Sequence, residues 1–154
     1  MFSQLLPLRV DNNYRGHKLA LWLFGVVLFL RLLMSLNAIF NGYDIATNAD
    51  GIPLGTYPLA AAQTLLSLFA ILGLSNFIIC LICIAVLTRY RSLIPFMFTL
   101  LLLDQLSRRL IFRVLPIVRV GTPPGIYINL ALLILMIAGL TFSLLTPRRA
   151  MVAA

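Results

Sequence analysis

Residues 59–88 read LAAAQTLLSLFAILGLSNFIICLICIAVLT, thirty consecutive positions without one charged side chain. A helix rises about 1.5 Å per residue, so about 20 apolar residues cross the hydrocarbon of a bilayer. This run exceeds that length and predicts a transmembrane helix that tilts or protrudes. Pro58 stands where a helix readily starts, and Arg89-Tyr90-Arg91 closes the run with charge.

Two further runs flank it. Leu19–Phe40 has 22 residues, with Trp22 placed as an interfacial ring and Asn41-Gly42 as a stop. Ile126–Leu145 follows Pro123-Pro124 and ends at Thr146-Pro147-Arg148-Arg149. The remaining segment, residues 93–115, is strongly apolar only to Leu103; Asp104, Gln105, Ser107, Arg108, Arg109 and Arg113 then follow. A short re-entrant or interfacial segment is the alternative there, since 10–14 apolar residues mark such elements. A full span is expected, because the fourth run needs it to return inward.

The whole composition agrees. Of 154 residues, 62% are hydrophobic and 10% charged, against roughly 25% charged in a soluble domain, and the mean hydropathy is +1.05. The expected fold is all-α: a single polytopic membrane domain over residues 1–154, a four-transmembrane-helix bundle with helices at about 19–40, 59–88, 93–115 and 126–145. Residues 1–18 form a cytoplasmic tail that lies on the membrane surface. A cleaved signal peptide is not expected, because the first run is too long for one and carries Arg31.

The net charge of +8 raises the question of nucleic acid, but the basic residues sit at the edges of the apolar runs. That is an orientation code. Arg9, Arg15, Lys18, Arg89, Arg91, Arg148 and Arg149 fall on the proposed inside, and Arg108, Arg109, Arg113 and Arg119 on the outside. The bias predicts both termini in the cytoplasm of a bacterial inner (plasma) membrane, with the dissent confined to the third segment. The bilayer is the expected partner, together with a larger membrane complex or a homo-oligomer, and nucleic acid is not.

Depth can be counted from these markers. Arg31 lies 13 residues after Lys18, Asn76 lies 13 before Arg89, and Asp104 lies 13 after Arg91. Each is then roughly 20 Å from the cytoplasmic edge. The sequence therefore predicts an intramembrane polar layer of Arg31, Asn76 and Asp104, with Gln105 and Arg108 as secondary members. A charge at mid-membrane costs about 2.5–3.5 kcal/mol on the insertion scale and seeks a partner. The layer is either a binding site or ion path, or an Arg31–Asp104 pair bridged by Asn76 that glues helices. Asp104 can also pair with Arg108 one turn along.

Cys80 and Cys83 form a C-x-x-C deep in an apolar helix, where packing is the expected role, since buried free cysteine behaves as a small hydrophobe. His17 is the only histidine; neither a metal site, a cofactor nor a catalytic residue is expected. The turn motifs Ala49-Asp50-Gly51-Ile52-Pro53 and Gly121-Thr122-Pro123-Pro124 fall on the external face, where they can form a cap. Ala131, Gly139 and Ser143 read as a small-residue packing stripe on the fourth helix.

The run R-x5-N-x3-N-G from Arg31 to Gly42, the ADGIPL loop and RYRSLIPF from Arg89 to Phe96 together resemble a family of small, uncharacterised bacterial inner-membrane proteins. In size and four-helix layout the chain is also similar to the DoxX-like group. That resemblance implies accessory membrane subunits linked to sulfur-compound oxidation and quinone reduction, with no functional residue carried over. The expected function is an accessory, assembly or scaffold subunit of a membrane complex. A small transporter or channel using the polar layer and a quinone-linked redox protein are the alternatives.

Overall fold

The computed structural model describes residues 10–145. Arg9, Arg148 and Arg149, three of the basic residues in the orientation count, lie outside the described residues, as does the Thr146–Arg149 end signal. Four long helices dominate: α1 Lys18–Phe40, α2 Leu59–Arg89, α3 Ile94–Val114 and α4 Gly125–Leu144. Every other described element is a short helical turn, so the fold is all-helical among the described residues.

Three of the four helices are long and apolar enough to cross a membrane, with mean hydropathies of 2.3 for α1, 2.7 for α2 and 2.2 for α4. α3 has 21 residues but carries four charges. The apolar surface of the spans is turned outward: Trp22 is 77% exposed, Phe29 60% and Ile71 58%. Water does not tolerate a shell of that kind; lipid does. The hydroxyls follow the same logic. Thr64, Ser67, Ser75, Thr88, Thr99 and Thr141 each donate to the carbonyl four residues back, at 2.8 to 3.0 Å. A hydroxyl bonded within its own helix leaves nothing unsatisfied in hydrocarbon.

All four helices contribute to one core. Phe24 and Val27 from α1, Cys80 and Cys83 from α2, Ile94 and Phe98 from α3, and Leu132 and Met136 from α4 are buried together. Phe24 and Phe98 meet edge to face with centroids 5.1 Å apart. Phe98 in turn lies over Gly139, where a Cβ would come within 2.5 Å of its ring. α1 packs most extensively on α2 and α4, and α4 on α3, while α3 meets α2 sparingly. The buried stripe of α4 is Leu132, Met136, Gly139 and Ser143. Ala131 is exposed and does not belong to it. A strict four-residue step advances 400° and drifts off the face, whereas alternating steps of three and four stay on it.

The chain's connections gather at two ends. At the tail end, Ser92 Oγ donates to the Asp11 carbonyl at 2.8 Å, and the His17 N–H donates to the Phe142 carbonyl at 3.2 Å. Residues 10–17 thus pack on the α2–α3 turn and the end of α4. His17 Nδ1 caps α1 by accepting from the Leu19 N–H. Burial pushes the Tyr14 phenol up to about 12, and its buried hydroxyl finds no hydrogen-bond partner among the described residues. At the loop end, Ala46, Ile52 and Leu54 form a small second core against the start of α2. There the Val120 N–H donates to the Gly51 carbonyl at 2.8 Å, joining the α1–α2 and α3–α4 loops. Gly51 has φ +69°, which side chains rarely adopt, and a Cβ would approach the Val120 carbonyl at 3.0 Å.

Candidate functional site

Arg31 is 8% exposed in the middle of α1. Its Nη1 donates to Asp104 Oδ2 at 3.1 Å, and its Nη2 to Gln105 Oε1 at 3.2 Å and to the Leu101 carbonyl at 3.4 Å. One guanidinium thus grips α3 by a carboxylate, an amide and a backbone oxygen within a single helical turn. The planar fork of arginine suits that spread of acceptors better than a lysine would.

Asp104 is shared. Its second oxygen, Oδ1, accepts from Arg108 Nε at 2.9 Å. Arg108 then extends from α3 to α2, where its Nη2 donates to Asn76 Oδ1 at 3.0 Å. The sequence left open whether Arg31 or Arg108 partners Asp104; the structure has both. Asn76 does not bridge Arg31 and Asp104 directly, as the counted depths suggested. It joins the layer through Arg108, because α2 and α3 stand apart at this level and only a long side chain closes the gap. Its own Nδ2 donates to the Leu72 carbonyl at 3.0 Å.

The fourth helix enters through a residue that the depth count missed. Gln105 Nε2 donates to Asn129 Oδ1 at 3.3 Å and to the Asn129 carbonyl at 3.2 Å. Asn129 Nδ2 is held by the Gly125 carbonyl at 2.8 Å. Asn129 is the single amide side chain of α4, and that solitude in an apolar run was the available signal. It was overlooked because the count used basic markers, and those after α4 sit far from Asn129. The result is a network across four helices: Asn76, Arg108, Asp104, Arg31, Gln105 and Asn129.

Two arginines against one aspartate leave the network one positive charge in excess. Toward the tail end from it, a groove of about 430 Å³ runs between α2 and α3, walled by Ile79, Ile82, Val86, Phe96 and Met97 and ending at Asp104. A second groove of about 430 Å³ crosses the outer face of α1 at Gly25, between Trp22 and Phe29. Cys80 and Cys83 are free thiols, each 1% exposed in the core beneath Arg31. No cluster of metal-ligating side chains occurs among the described residues. No family model, no curated protein and no solved structure matches this chain.

Proposed function

We propose that this chain is a multi-pass protein of the bacterial inner membrane, crossing it four times with both ends in the cytoplasm. In this reading it serves as an accessory, assembly or scaffold subunit of a larger membrane complex or of a homo-oligomer. The observation that carries it is the way the polar network closes on itself. Arg31, Asp104, Arg108, Gln105, Asn76 and Asn129 bond to one another across all four helices. A site that performs chemistry presents an acid, base or nucleophile free to react; Asp104 borders the groove between α2 and α3, but both of its oxygens are held by arginines that tie helices together. The network also supports the third crossing, because the buried Arg31 fixes Asp104 beside the middle of α1. The resemblance to DoxX-like accessory subunits points the same way.

Co-purification from native membranes in mild detergent tests this reading. A larger protein retained in fixed proportion, or a defined oligomer, is expected. Recovery of the chain as an isolated monomer overturns it. A second reading, a small anion transporter or channel, is favoured by the one excess positive charge of the network. Chloride release from loaded proteoliposomes, faster than from empty vesicles and lost in Arg108→Gln, would establish that alternative.

A further inference from the structure

The outer end of α3 is unlike the rest of the molecule. From Leu110 to Leu115 successive side chains point about 100° apart and so cover the whole circumference, yet none is buried. Leu110 is 63% exposed, Val114 72% and Leu115 67%; Val118 and Val120 in the following loop are equally bare. Arginines are set among these aliphatic groups. Arg109 and Arg113 stand four residues apart on one side of the helix, where like charges repel. Arg119 lies over the Phe112 ring at 5.7 Å.

No carboxylate is paired with Arg109 or Arg113 among the described residues. The chain has four acidic residues; Asp104 is held by Arg31 and Arg108, and Asp11 by Arg15 at 3.6 Å. Asp50 lies near Arg119, and Asp44 is exposed in the same loop as Asp50 without an ion pair among the described residues. Arg109 and Arg113 form no ion pair among the described residues. The segment therefore needs hydrocarbon and anions at once, on every side of one helical turn after another. A lipid–water interface supplies both, with phosphates meeting arginine forks and acyl chains meeting leucines.

We infer that residues 106–120 form an interfacial segment that binds the phosphate headgroups of anionic phospholipids in the leaflet at the loop end. Arg109 and Arg113, two of the four arginines that blur the basic-residue bias, are then headgroup ligands. The inference rests on the chain lying in a bilayer, and the test separates the two. The full chain is reconstituted into phosphatidylcholine vesicles and into vesicles that also contain phosphatidylglycerol. Flotation with both vesicle types checks membrane insertion alone. Lipid retained by the detergent-solubilised protein is then measured by native mass spectrometry. Phosphatidylglycerol should be kept in preference to phosphatidylcholine. Each arginine near an anionic surface is worth roughly a fivefold change in association, so Arg109→Gln with Arg113→Gln should lower the preference about 25-fold. Arg109→Lys with Arg113→Lys should preserve most of it, which guards against a folding defect. In a Trp22→Phe background, a Phe112→Trp tryptophan should be quenched by lipids brominated near the headgroup. Equal retention of the two lipids, an undiminished preference in the glutamine variant, or an introduced tryptophan that lipid does not quench would each overturn the inference. So would a co-purified protein that shields this tryptophan, which would make the segment a protein-docking surface.

Discussion

At Asp104 two guanidinium groups share one carboxylate, and that sharing makes the consequences of substitution unequal. Arg31→Leu leaves Asp104 paired with Arg108 at 2.9 Å. Asp104→Leu strands Arg31, which is almost fully buried, and frees Arg108 as well. Breaking a buried pair from one side costs on the order of 3–5 kcal/mol, because a charge is left without a partner. Asp104→Leu should therefore lose more folded protein in detergent than Arg31→Leu. The double variant should recover part of the Asp104→Leu loss, since only the half-exposed Arg108 then lacks its partner. Additive losses would show that Arg31 and Asp104 are not coupled. Asp50 offers a pH test at the loop end. Burial raises its carboxyl above the ordinary 3.8, and Arg119 offsets part of that rise. The folded state thus favours the protonated form. Stability from this group is complete below the usual carboxylate range and is lost as pH rises through the folded value. Asp50→Asn should raise the unfolding temperature at pH 7 and make little difference near pH 3; the same gain at both would remove ionisation from the explanation.

At the scale of elements, the helices were legible and their contacts were not. Long apolar runs bounded by Pro58, Arg89 and Asn41-Gly42 announce their own ends, and the helices begin and end within about a residue of those marks. α3 was legible as a helix and expected to span, and its four charges set it apart from the three helices that are long and apolar enough to cross a membrane. Lateral packing leaves a fainter trace. In lipid every face of a helix can be apolar, so hydrophobicity does not say which face meets a neighbour. Ala131 was assigned to the packing stripe for that reason, although it is exposed. Gly139 carries the stronger signal, since the Phe98 ring occupies the space a side chain would take. Gly139→Ala should force that ring off Phe24 and cost about 1–3 kcal/mol, as overpacking does. Ala131→Leu, on the exposed side, should be tolerated. The two unfolding temperatures in one detergent decide it, and equal effects would mean that α3 and α4 are not closely packed there.

For the whole molecule, the arrangement of ends makes a topological statement that the polar layer alone could not. Residues 10–17 bond to Ser92 in the α2–α3 turn and to Phe142 near the end of α4. Three connections separated widely in sequence therefore share one end. The other end holds the joined loops, through Val120 and Gly51. If α1, α2 and α4 cross the bilayer, α3 must carry the chain back between its ends for this gathering to hold, so an even number of crossings follows. Arg15, Lys18, Arg89 and Arg91 gather near the tail end, and the proposed orientation with that end in the cytoplasm follows the basic-residue rule. Reporter fusions after Ala154 and after Ser92 should thus report the cytoplasm, and insertions at Gly55 and at Gly121 the exterior. Gly55 and Gly121 both face open space, and at Gly121, where φ is +71°, the insertion follows the glycine and leaves it in place. The insertion at Gly121 is the decisive one. A cytoplasmic report there, with Gly55 outside, would mean that α3 dips into the membrane without crossing. α4 would then have to start from the cytoplasm, and its contacts with residues 10–17 could not form.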